Sequence, residues 1–517
     1  MKKPHVQQRT ERRISAALRL VMVAVLLVAQ IALVFLLSDV LKQRMALAYS
    51  ALELLAAVVA VTIWSRPGAT SYKIGWVMLV LFVPVVGVIL YLLWNGARQS
   101  KRLDLKKLPR PEEPLAQQEQ AKSELERLRQ AMPCWYPAAA GLDRKGFSVY
   151  RNTAVKYLPT GEAYLNTMLD DLEHAERFIF LEYFILAEGR LWSELEKILC
   201  AKAREGVEVK IIFDDFGNIK RFSGETIDRL REVGVEVFIF NPVHEYVNRL
   251  HFNYRDHRKI ACIDGDVAYT GGVNIADEYA NIIERFGYWK DSGVCLEGEG
   301  AWGLTASFIR MCVNLGGVMH NEHDYYRPHT PVKSEGFCQP FTDGPQNNPD
   351  NPAEDVFLQM ISGARRFLYI TTPYFIPDES LMRALCIAGD GGVDVRLMLP
   401  GKPDHWYADC VAESYFGKLL KHGVKVYRYT PGFLHGKSIM VDREAAFVGS
   451  ANMDYRSFEL DYECGVMVYS VPMIESLLED MDMIVDRSHL VTAEEWAKRS
   501  VLRRVFEPLL RLFAIWM

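Results

Sequence analysis

Residues 254–264 read YRDHRKIACID and residues 432–442 read GFLHGKSIMVD, and the two stretches share one layout. In each, a histidine is followed by a lysine two positions later and by an aspartate seven positions later. The lysine begins an apolar run that is typical of a buried strand. Because alternate residues of a strand share a face, the histidine and lysine point to one side and the aspartate to the other. The six residues are His257, Lys259, Asp264, His435, Lys437 and Asp442.

The duplication extends well beyond these two stretches. The two motif histidines lie 178 positions apart, and so do Asn274 and Asn452. In both copies apolar strands alternate with amphipathic helices, which predicts an α/β fold of two similar halves with sheets flanked by helices. If a pseudo-two-fold axis relates the halves, equivalent residues meet at their interface. The matching segments are 175–185 with 364–376, 206–215 with 392–401, and 234–240 with 423–429.

A pair of histidines and a pair of lysines suits chemistry on a phosphodiester. One neutral imidazole can attack phosphorus and hold the group covalently. The other, protonated, can give its proton to the departing alcohol, and imidazole titrates near about 6.5. Two ammonium groups would neutralise charge that builds on the phosphoryl oxygens. We therefore expect neither a metal nor a cofactor.

The remaining motif positions predict supporting roles. We include Asp264 and Asp442 in the candidate catalytic set, but their opposite parity favours tying down a neighbouring loop over proton transfer. Small residues on the following strand would leave room for a phosphate and offer backbone donors. Two asparagines could add further donors. These support positions are Gly272, Ser450, Asn274 and Asn452.

The first hundred residues are far more apolar than the rest. Residues 18–37, 45–64 and 73–94 are each about long enough to cross a bilayer. Basic residues flank both ends of this region, so the positive-inside rule places both flanks in the cytoplasm and favours an even number of spans. We predict a multi-pass anchor of two or three transmembrane helices over residues 1–95, in the cell membrane, with a cytoplasmic catalytic region.

The rest of the chain divides by composition and repeat. Residues 96–140 read as a charged linker, 141–330 as the first half and 331–517 as the second half. The last residues, LRRVFEPLLRLFAIWM, place arginines between apolar pairs. They predict a terminal amphipathic helix that either lies on the bilayer or packs on the body of the protein.

The doubled HxKx4D signature resembles the phospholipase D superfamily, and over nearly the whole chain the sequence is similar to bacterial cardiolipin synthases. The resemblance implies two phospholipase D-like halves and a transfer between two membrane phosphatidylglycerols. One donates its phosphatidyl group to a histidine, and the other accepts it through its terminal glycerol hydroxyl, giving cardiolipin and glycerol. The stretches that carry it include LEYFI, NYRDHRKIACIDG, GGVNIADEY, YWKD, GFLHGKS and GSANMDYRSFELDYE.

The same resemblance implies roles for particular residues. The family usually takes the first histidine as nucleophile, here His257, with His435 as acid and then base, although the near-symmetry of the halves does not choose between them. Downstream carboxylates that orient the histidines match Asp291 in YWKD and Glu463 in LDYE. The sequence departs from the usual pattern at Asp461, where the family commonly has asparagine.

Other functions remain open on the motifs alone. Water or another alcohol could replace the acceptor, which would make the enzyme a phospholipase D hydrolase or a different transferase. A net charge of -5 gives no basic field for a nuclease or other nucleic-acid partner, whereas an anionic bilayer fits the basic flanks of the anchor. A non-catalytic scaffold is disfavoured because both halves keep histidine and lysine.

Two further patterns are weak. His320 and His323 could form a metal pair, but a polar loop is the favoured interpretation because no further ligand is evident. The nine cysteines are scattered and odd in number, with no CxxC pair. They favour buried thiols in a reducing compartment, with a single disulfide left open.

Overall fold

The chain divides into a small unit, residues 1–104 with 241–254, and a large unit, residues 105–240 with 255–517. The computed structural model describes residues 44–66, 70–94, 115–242, 254–320, 324–347 and 350–500, with five further positions between 503 and 511.

The described residues of the small unit form three apolar helices, α1 (Arg44–Ser65), α2 (Thr70–Phe82) and α3 (Pro84–Trp94). The predicted third span, 73–94, is divided between α2 and α3 because Pro84 has no backbone N–H to continue the helical ladder. Trp76 and Tyr91 meet edge to face at 5.6 Å across that division.

The structure bears only in part on the predicted anchor. No helix among the described residues combines the length and the apolar character that a bilayer crossing needs. The first predicted span, 18–37, lies outside the described residues, as do residues 95–114 and most of the predicted C-terminal amphipathic helix. The transmembrane helices therefore stay a prediction.

The large unit begins with two helices and continues into the first half. A seven-stranded sheet in the order β1-β9-β7-β6-β2-β3-β4 forms its centre. The elements are α4 (Leu115–Ala131), α5 (Tyr136–Arg144), β1 (Thr153–Leu158), α6 (Gly161–Glu173), β2 (Phe178–Tyr183), α7 (Arg190–Glu205), β3 (Glu208–Asp214), α8 (Asp215–Asn218), α9 (Gly224–Glu232), β4 (Glu236–Phe240), β5 (Arg255–Asp256), β6 (Lys259–Ile263), β7 (Val267–Gly271), β8 (Tyr288–Lys290), β9 (Gly293–Gly298) and α10 (Ala301–Asn314).

The second half repeats this plan. Its main sheet runs β10-β19-β17-β16-β11-β13-β14-β20. The elements are β10 (Phe337–Asp343), a short 3-10 turn (Pro345–Asn347), α11 (Pro352–Gly363), β11 (Phe367–Thr371), β12 (Phe375–Ile376), α12 (Glu379–Asp390), β13 (Asp394–Pro400), α13 (Trp406–Lys421), β14 (Lys425–Tyr429), β15 (Gly432–Leu434), β16 (Ser438–Val441), β17 (Ala445–Gly449), β18 (Met453–Asp454), α14 (Tyr455–Glu459), β19 (Asp461–Tyr469), α15 (Met473–Asp486), β20 (Ser488–Leu490) and α16 (Ala493–Ala497).

Local sequence explains these elements. The run FIFLEY of β2 is buried at every position, as expected for a strand covered on both faces. Helix α7 carries a 3.6-residue apolar stripe on one face and ends at Gly206, whose φ of +95° suits a left-handed cap. The stripe consists of Leu191, Trp192, Leu195, Ile198 and Leu199.

The α/β fold of two similar halves is confirmed. In the first half β2, β6, β7 and β9 are neighbours, and in the second β11, β16, β17 and β19 take the same places. Part of the predicted charged linker, 96–140, is helical and packed: Leu128 of α4 and Trp135, just before α5, belong to the core of the second half. Leu142 of α5 joins the same core, although the sequence assigned it to the first half.

Short strands exchange between the halves. Strand β5 of the first half pairs in parallel with β19 of the second, where Tyr462 lies opposite Asp256. Strand β15 of the second half pairs in parallel with β8 of the first, where Leu434 lies opposite Lys290. Each exchanged strand comes just before a motif histidine, so each histidine lies against residues of the other half.

Candidate active site

Both motif histidines lie just before a strand of the main sheet, two residues before it in the first half and three in the second, at the junction of the halves. His257 precedes β6, and His435 precedes β16. Strand β6 pairs with β2 so that Lys259 lies opposite Tyr183, at the carboxyl end of β2. In the second half Ser438 lies opposite Thr371, at the carboxyl end of β11. The two motifs therefore lie at equivalent strand ends, one in each half.

Each histidine is held by a carboxylate from the other half. Nδ1 of His257 lies 2.9 Å from Oε1 of Glu463, and Nδ1 of His435 lies 2.6 Å from Oδ2 of Asp291. The backbone of His257 also donates to Tyr462 O at 2.9 Å, and that of His435 donates to Lys290 O at 2.7 Å. With Nδ1 occupied, Nε2 of each ring is left for a substrate.

The two motif lysines are buried beside the histidines. Nζ of Lys259 donates to the carbonyl of His257 at 2.5 Å, and Nζ of Lys437 donates to the carbonyl of His435 at 2.5 Å. Burial, with the charge of Lys259 assisting and nearby carboxylates opposing, lowers the pKa of Lys437 to about 7. Burial also lowers the pKa of Lys259. Two buried ammonium groups in one site are costly without an anion, so the site suits a phosphate group.

Burial and the nearby lysines favour neutral imidazoles at both motif histidines. Burial and the nearby lysines lower the pKa of His257 well below its ordinary value. Burial and Lys437 lower the pKa of His435 to about 4, against the opposing effect of Asp291. An anionic ligand between the two lysines would offset these effects and favour a protonated imidazole.

The two carboxylates differ in charge. Burial raises the pKa of Glu463 to about 7, although Lys259 opposes it. Burial also raises the pKa of Asp291, but its charge and hydrogen-bond interactions with His435 outweigh that effect and hold the pKa below the usual value. His435 therefore has an ionised partner, while His257 has a partner that is partly protonated at neutral pH.

The motif aspartates lie away from this chemistry. Asp264 accepts hydrogen bonds from the backbone of Glu176, Arg177 and Phe178, between 2.7 and 2.9 Å. These bonds hold the entrance to β2, as the opposite strand parity favours. Asp442 does the same at β11, where it accepts from the backbone of Arg365, Arg366 and Phe367. Their contacts make both aspartates structural members of the motif rather than partners of the imidazoles.

The two small residues contact the carboxylates that hold the histidines. The sequence predicted instead that they leave room for a phosphate. A Cβ at Gly272 would lie 2.2 Å from Oδ1 of Asp291, so only glycine lets that carboxylate approach. At the equivalent position the hydroxyl of Ser450 donates to Oε2 of Glu463. Sequence spacing identified both positions, but it could not show what fills the space beside them.

The two asparagines are not equivalent. Asn274 accepts from the backbone of Ile185 at 3.1 Å and donates to the hydroxyl of Tyr279 at 2.8 Å, so its amide is committed to the protein. In the part of the chain that the structure describes, the buried Oδ1 of Asn452 has no hydrogen-bond partner.

Aromatic walls were missed in the sequence. Phe184 meets the ring of His257 at 5.2 Å, and Tyr279 and Trp289 meet the ring of His435 at 5.4 and 5.5 Å. These residues lie in the LEYFI, ADEY and YWKD stretches, so the signal was present, but a linear pattern does not show which side a ring covers.

The weaker candidates from the sequence were the pair His320 and His323 and the nine cysteines. The ring of His320 packs on Tyr325 at 4.5 Å, while His323 lies outside the described residues. Within the described ranges, no group of three or more metal-ligating side chains comes together. All nine cysteines fall within those ranges as free thiols.

Asp461, where the family pattern commonly has asparagine, is buried and forms an ion pair with Arg456 at 3.0 Å. Burial raises the pKa of Asp461 well above its usual value, with Arg456 opposing.

Comparison with known proteins gives a consistent result. Residues 168–282 and 357–485 match the family described as "Cardiolipin synthase, PLD-like domain", and residues 54–95 match "Phospholipase_D-nuclease N-terminal". An uncharacterized protein of Streptococcus mutans is 37% identical over 450 residues, which is 85% of this chain and 95% of that protein.

Two named relatives cover a similar share. Cardiolipin synthase 2 of Bacillus anthracis is 34% identical over 86% of each chain. Cardiolipin synthase of Halalkalibacterium halodurans is 34% identical over 85% of this chain and 88% of its own. Among solved structures, phosphatidylserine synthase of Haemophilus influenzae has a TM-score of 0.55 at 15% identity, over 73% of this chain and 96% of that one. That last likeness supports the fold alone.

Proposed function

Because this chain belongs to the cardiolipin synthase family with phospholipase D-like domains, we propose that it transfers a phosphatidyl group between two phosphatidylglycerols. The products are cardiolipin and glycerol. One observation carries the proposal: two imidazoles, each tied at Nδ1 to a carboxylate of the other half, lie beside two buried lysines. That set supplies a nucleophile, an acid and charge neutralisation for one phosphodiester.

The first step forms a phosphohistidine. Nε2 of His257 attacks the phosphorus of the donor, so an N–P bond forms and the bond from phosphorus to the glycerol oxygen breaks. His435, protonated when the anionic donor is bound, gives its proton to that oxygen, and glycerol leaves. Lys259 and Lys437 neutralise the phosphoryl oxygens as negative charge builds on them.

The second step reverses this path with a different alcohol. The terminal glycerol hydroxyl of the second phosphatidylglycerol gives its proton to His435, and its oxygen attacks phosphorus. The new O–P bond forms as the bond to His257 breaks. Cardiolipin leaves and His435 is again protonated, so no metal, cofactor or further reactant enters the balance.

The difference between the carboxylates supports this division of roles. Asp291, with a lowered pKa, stays ionised and stabilises the imidazolium of His435, as an acid and base requires. Glu463, with a pKa raised to about 7, provides less negative charge to His257, which suits a ring that acts as a neutral nucleophile.

The membrane setting follows from the substrate. We place the active site at the surface of the cell membrane that holds its phosphatidylglycerol, on the cytoplasmic side. The anchor would comprise residues 1–95 and the linker residues 96–140, followed by the catalytic halves 141–330 and 331–517. The apolar N-terminal stretches and their basic flanks support this arrangement.

A lipid assay tests the proposal. Purified full-length protein in mixed micelles receives phosphatidylglycerol alone, and lipid products and released glycerol are counted. Cardiolipin and glycerol in equal amounts are expected, with loss of both in His257→Ala. His422→Ala is the matched control, because His422 also pairs with a carboxylate, Asp390, at 2.8 Å, but lies in the loop after α13. Phosphatidic acid without cardiolipin would make water the acceptor and overturn the transferase.

A further inference from the structure

A carboxylate outside the motifs has one oxygen left over. Asp404 lies in the loop between β13 and α13, and its side chain is 13% exposed. Oδ2 accepts from the hydroxyl of Tyr374 at 2.6 Å and lies 2.8 Å from Nδ1 of His405. Oδ1 is buried and has no hydrogen-bond partner among the described residues. An unsatisfied acceptor of this kind is costly, and a bound ligand that donates to it would recover the loss.

Asp404 lies near the junction of the halves, because its partner Tyr374 packs there. Tyr374, which holds Oδ2, packs against the hydrophobic cores of both halves, where the two halves meet. Burial raises the pKa of Asp404, but hydrogen bonds from His405 and Tyr374 and the charge of His435 together bring it below the usual value. Asp404 in turn acts on the pKa of Lys437. The carboxylate is therefore ionised and lies within electrostatic range of the acid–base histidine.

The equivalent position of the first half has no unpaired side-chain atom. In the matched segments 206–215 and 392–401, Asp404 corresponds to Asn218. Oδ1 of Asn218 accepts from the backbone of Leu186 at 2.7 Å, and its Nδ2 donates to the carbonyls of Phe184 at 2.8 Å and Asp214 at 2.7 Å. Of these two equivalent positions, only Asp404 has an oxygen without a partner among the described residues.

We propose that Oδ1 of Asp404 binds the second free hydroxyl of the acceptor glycerol and thereby favours a diol over water or a monohydric alcohol. The inference rests on the proposed transferase. The terminal glycerol of phosphatidylglycerol has two free hydroxyls. One gives its proton to His435 as its oxygen attacks phosphorus, and the other donates to Asp404. Sites that hydrogen-bond a substrate hydroxyl discriminate strongly against analogues that lack it.

Two measurements on the purified full chain test this role. The first uses phosphatidylglycerol labelled in its acyl chains and compares cardiolipin with phosphatidic acid. In Asp404→Ala we expect that product ratio to fall about tenfold or more, the loss of one hydrogen bond to a charged group, because water as the acceptor does not need this contact. The second lets free glycerol and ethanol compete for the phosphatidyl group, and the preference for glycerol should fall by a similar factor.

Two further variants make the result specific. Asp404→Asn keeps the shape of the side chain but is a weaker acceptor, so the ratio should fall about threefold, and this variant carries the test if alanine does not fold. Asp409→Asn is the matched control. Asp409 lies on α13, close to Asp404 in the chain, and forms an ion pair with Arg428 of β14 at 2.7 Å. Loss of its charge should leave the product ratio unchanged.

The outcomes separate the two ideas. An unchanged ratio in both Asp404 variants, or an equal fall of cardiolipin and phosphatidic acid, overturns the role of Asp404. A wild-type enzyme that yields only phosphatidic acid from phosphatidylglycerol overturns the proposed function instead. In that case the competition between glycerol and ethanol still measures whether Asp404 selects a diol.

Discussion

Glu463 of the second half hydrogen-bonds His257 of the first half, with Oε1 2.9 Å from Nδ1. The reciprocal pair, His435 with Asp291, crosses the interface in the other direction at 2.6 Å. Each half therefore holds the histidine of the other in its orientation. Neither half alone supplies a motif histidine together with the carboxylate that holds it, which explains why a duplicated chain needs both copies.

The two carboxylates should differ in their effect on turnover. Asp291→Asn removes the ionised partner of the proposed acid–base histidine, so we expect kcat to fall about 10²- to 10⁴-fold. Glu463→Gln removes a carboxyl whose pKa is raised to about 7, and its loss should cost clearly less. Steady-state turnover of phosphatidylglycerol by the two variants measures the difference. Equal losses, or a larger loss for Glu463→Gln, would contradict the division of roles.

The covalent intermediate should form on His257. In His435→Ala the base that activates the acceptor is missing, so a phosphatidyl group should remain on the enzyme for longer than in the wild type. Rapid-quench experiments with acyl-labelled phosphatidylglycerol, followed by peptide mapping, locate the label. His257→Ala is the paired control and should carry none. Label on His435 in that control would exchange the roles of the two histidines.

Gly272→Ala should reduce activity without unfolding the protein. The added Cβ would lie 2.2 Å from Oδ1 of Asp291, so the carboxylate must move away from His435. We expect at least a tenfold loss of kcat, of the size seen when an orienting group is displaced.

A matched control is Gly141→Ala in α5, where the nearest atom to a new Cβ is 3.7 Å away. Alanine is the better helix former by about 0.5–1 kcal/mol, so this variant should be active and slightly more stable. Measured kcat and unfolding midpoints for both variants check the pair, and a fully active Gly272→Ala enzyme would refute the explanation.

Glu463 should make stability depend on pH. Its pKa rises from an ordinary 4.5 to about 7 on folding, so the folded state binds more protons than the unfolded state between these values. Stability contributed by this group is complete below about pH 4.5 and declines as the pH rises to about 7. Glu463→Gln lacks this loss, so its stability relative to the wild type should improve over that window by up to about 3 kcal/mol.

Urea unfolding at pH 5 and pH 8 measures this change directly. Tyr157→Phe, which removes a buried hydroxyl bonded to Asp480 and no carboxyl, is a suitable control. A stability difference between Glu463→Gln and the wild type that does not change with pH would show that the carboxyl is already ionised in the folded protein.

Most of the architecture could be predicted from the sequence because it depends on local periodicity. The constant spacing of two motifs indicated two equivalent halves, and strand parity separated Asp264 and Asp442 from the histidine–lysine face. Asp291 and Glu463 were also identified, through resemblance. The role of Gly272 could not be predicted from the sequence, because a glycine that leaves room for a phosphate and one that leaves room for a carboxylate look identical in a sequence.

What the sequence by itself determined is therefore the fold class, the duplication and the candidates for the reacting side chains, since these follow from short-range patterns. The tertiary structure decided which carboxylate binds which histidine. The exchange of β5 and β15 between the halves brings Glu463 to His257, 206 positions away in the chain, and Asp291 to His435, 144 positions away. It also left Oδ1 of Asp404 without a hydrogen-bond partner among the described residues, whereas the amide of Asn218 at the equivalent position is fully bonded. Such asymmetry arises from packing around each copy, and packing is decided by neighbours that are distant in the chain.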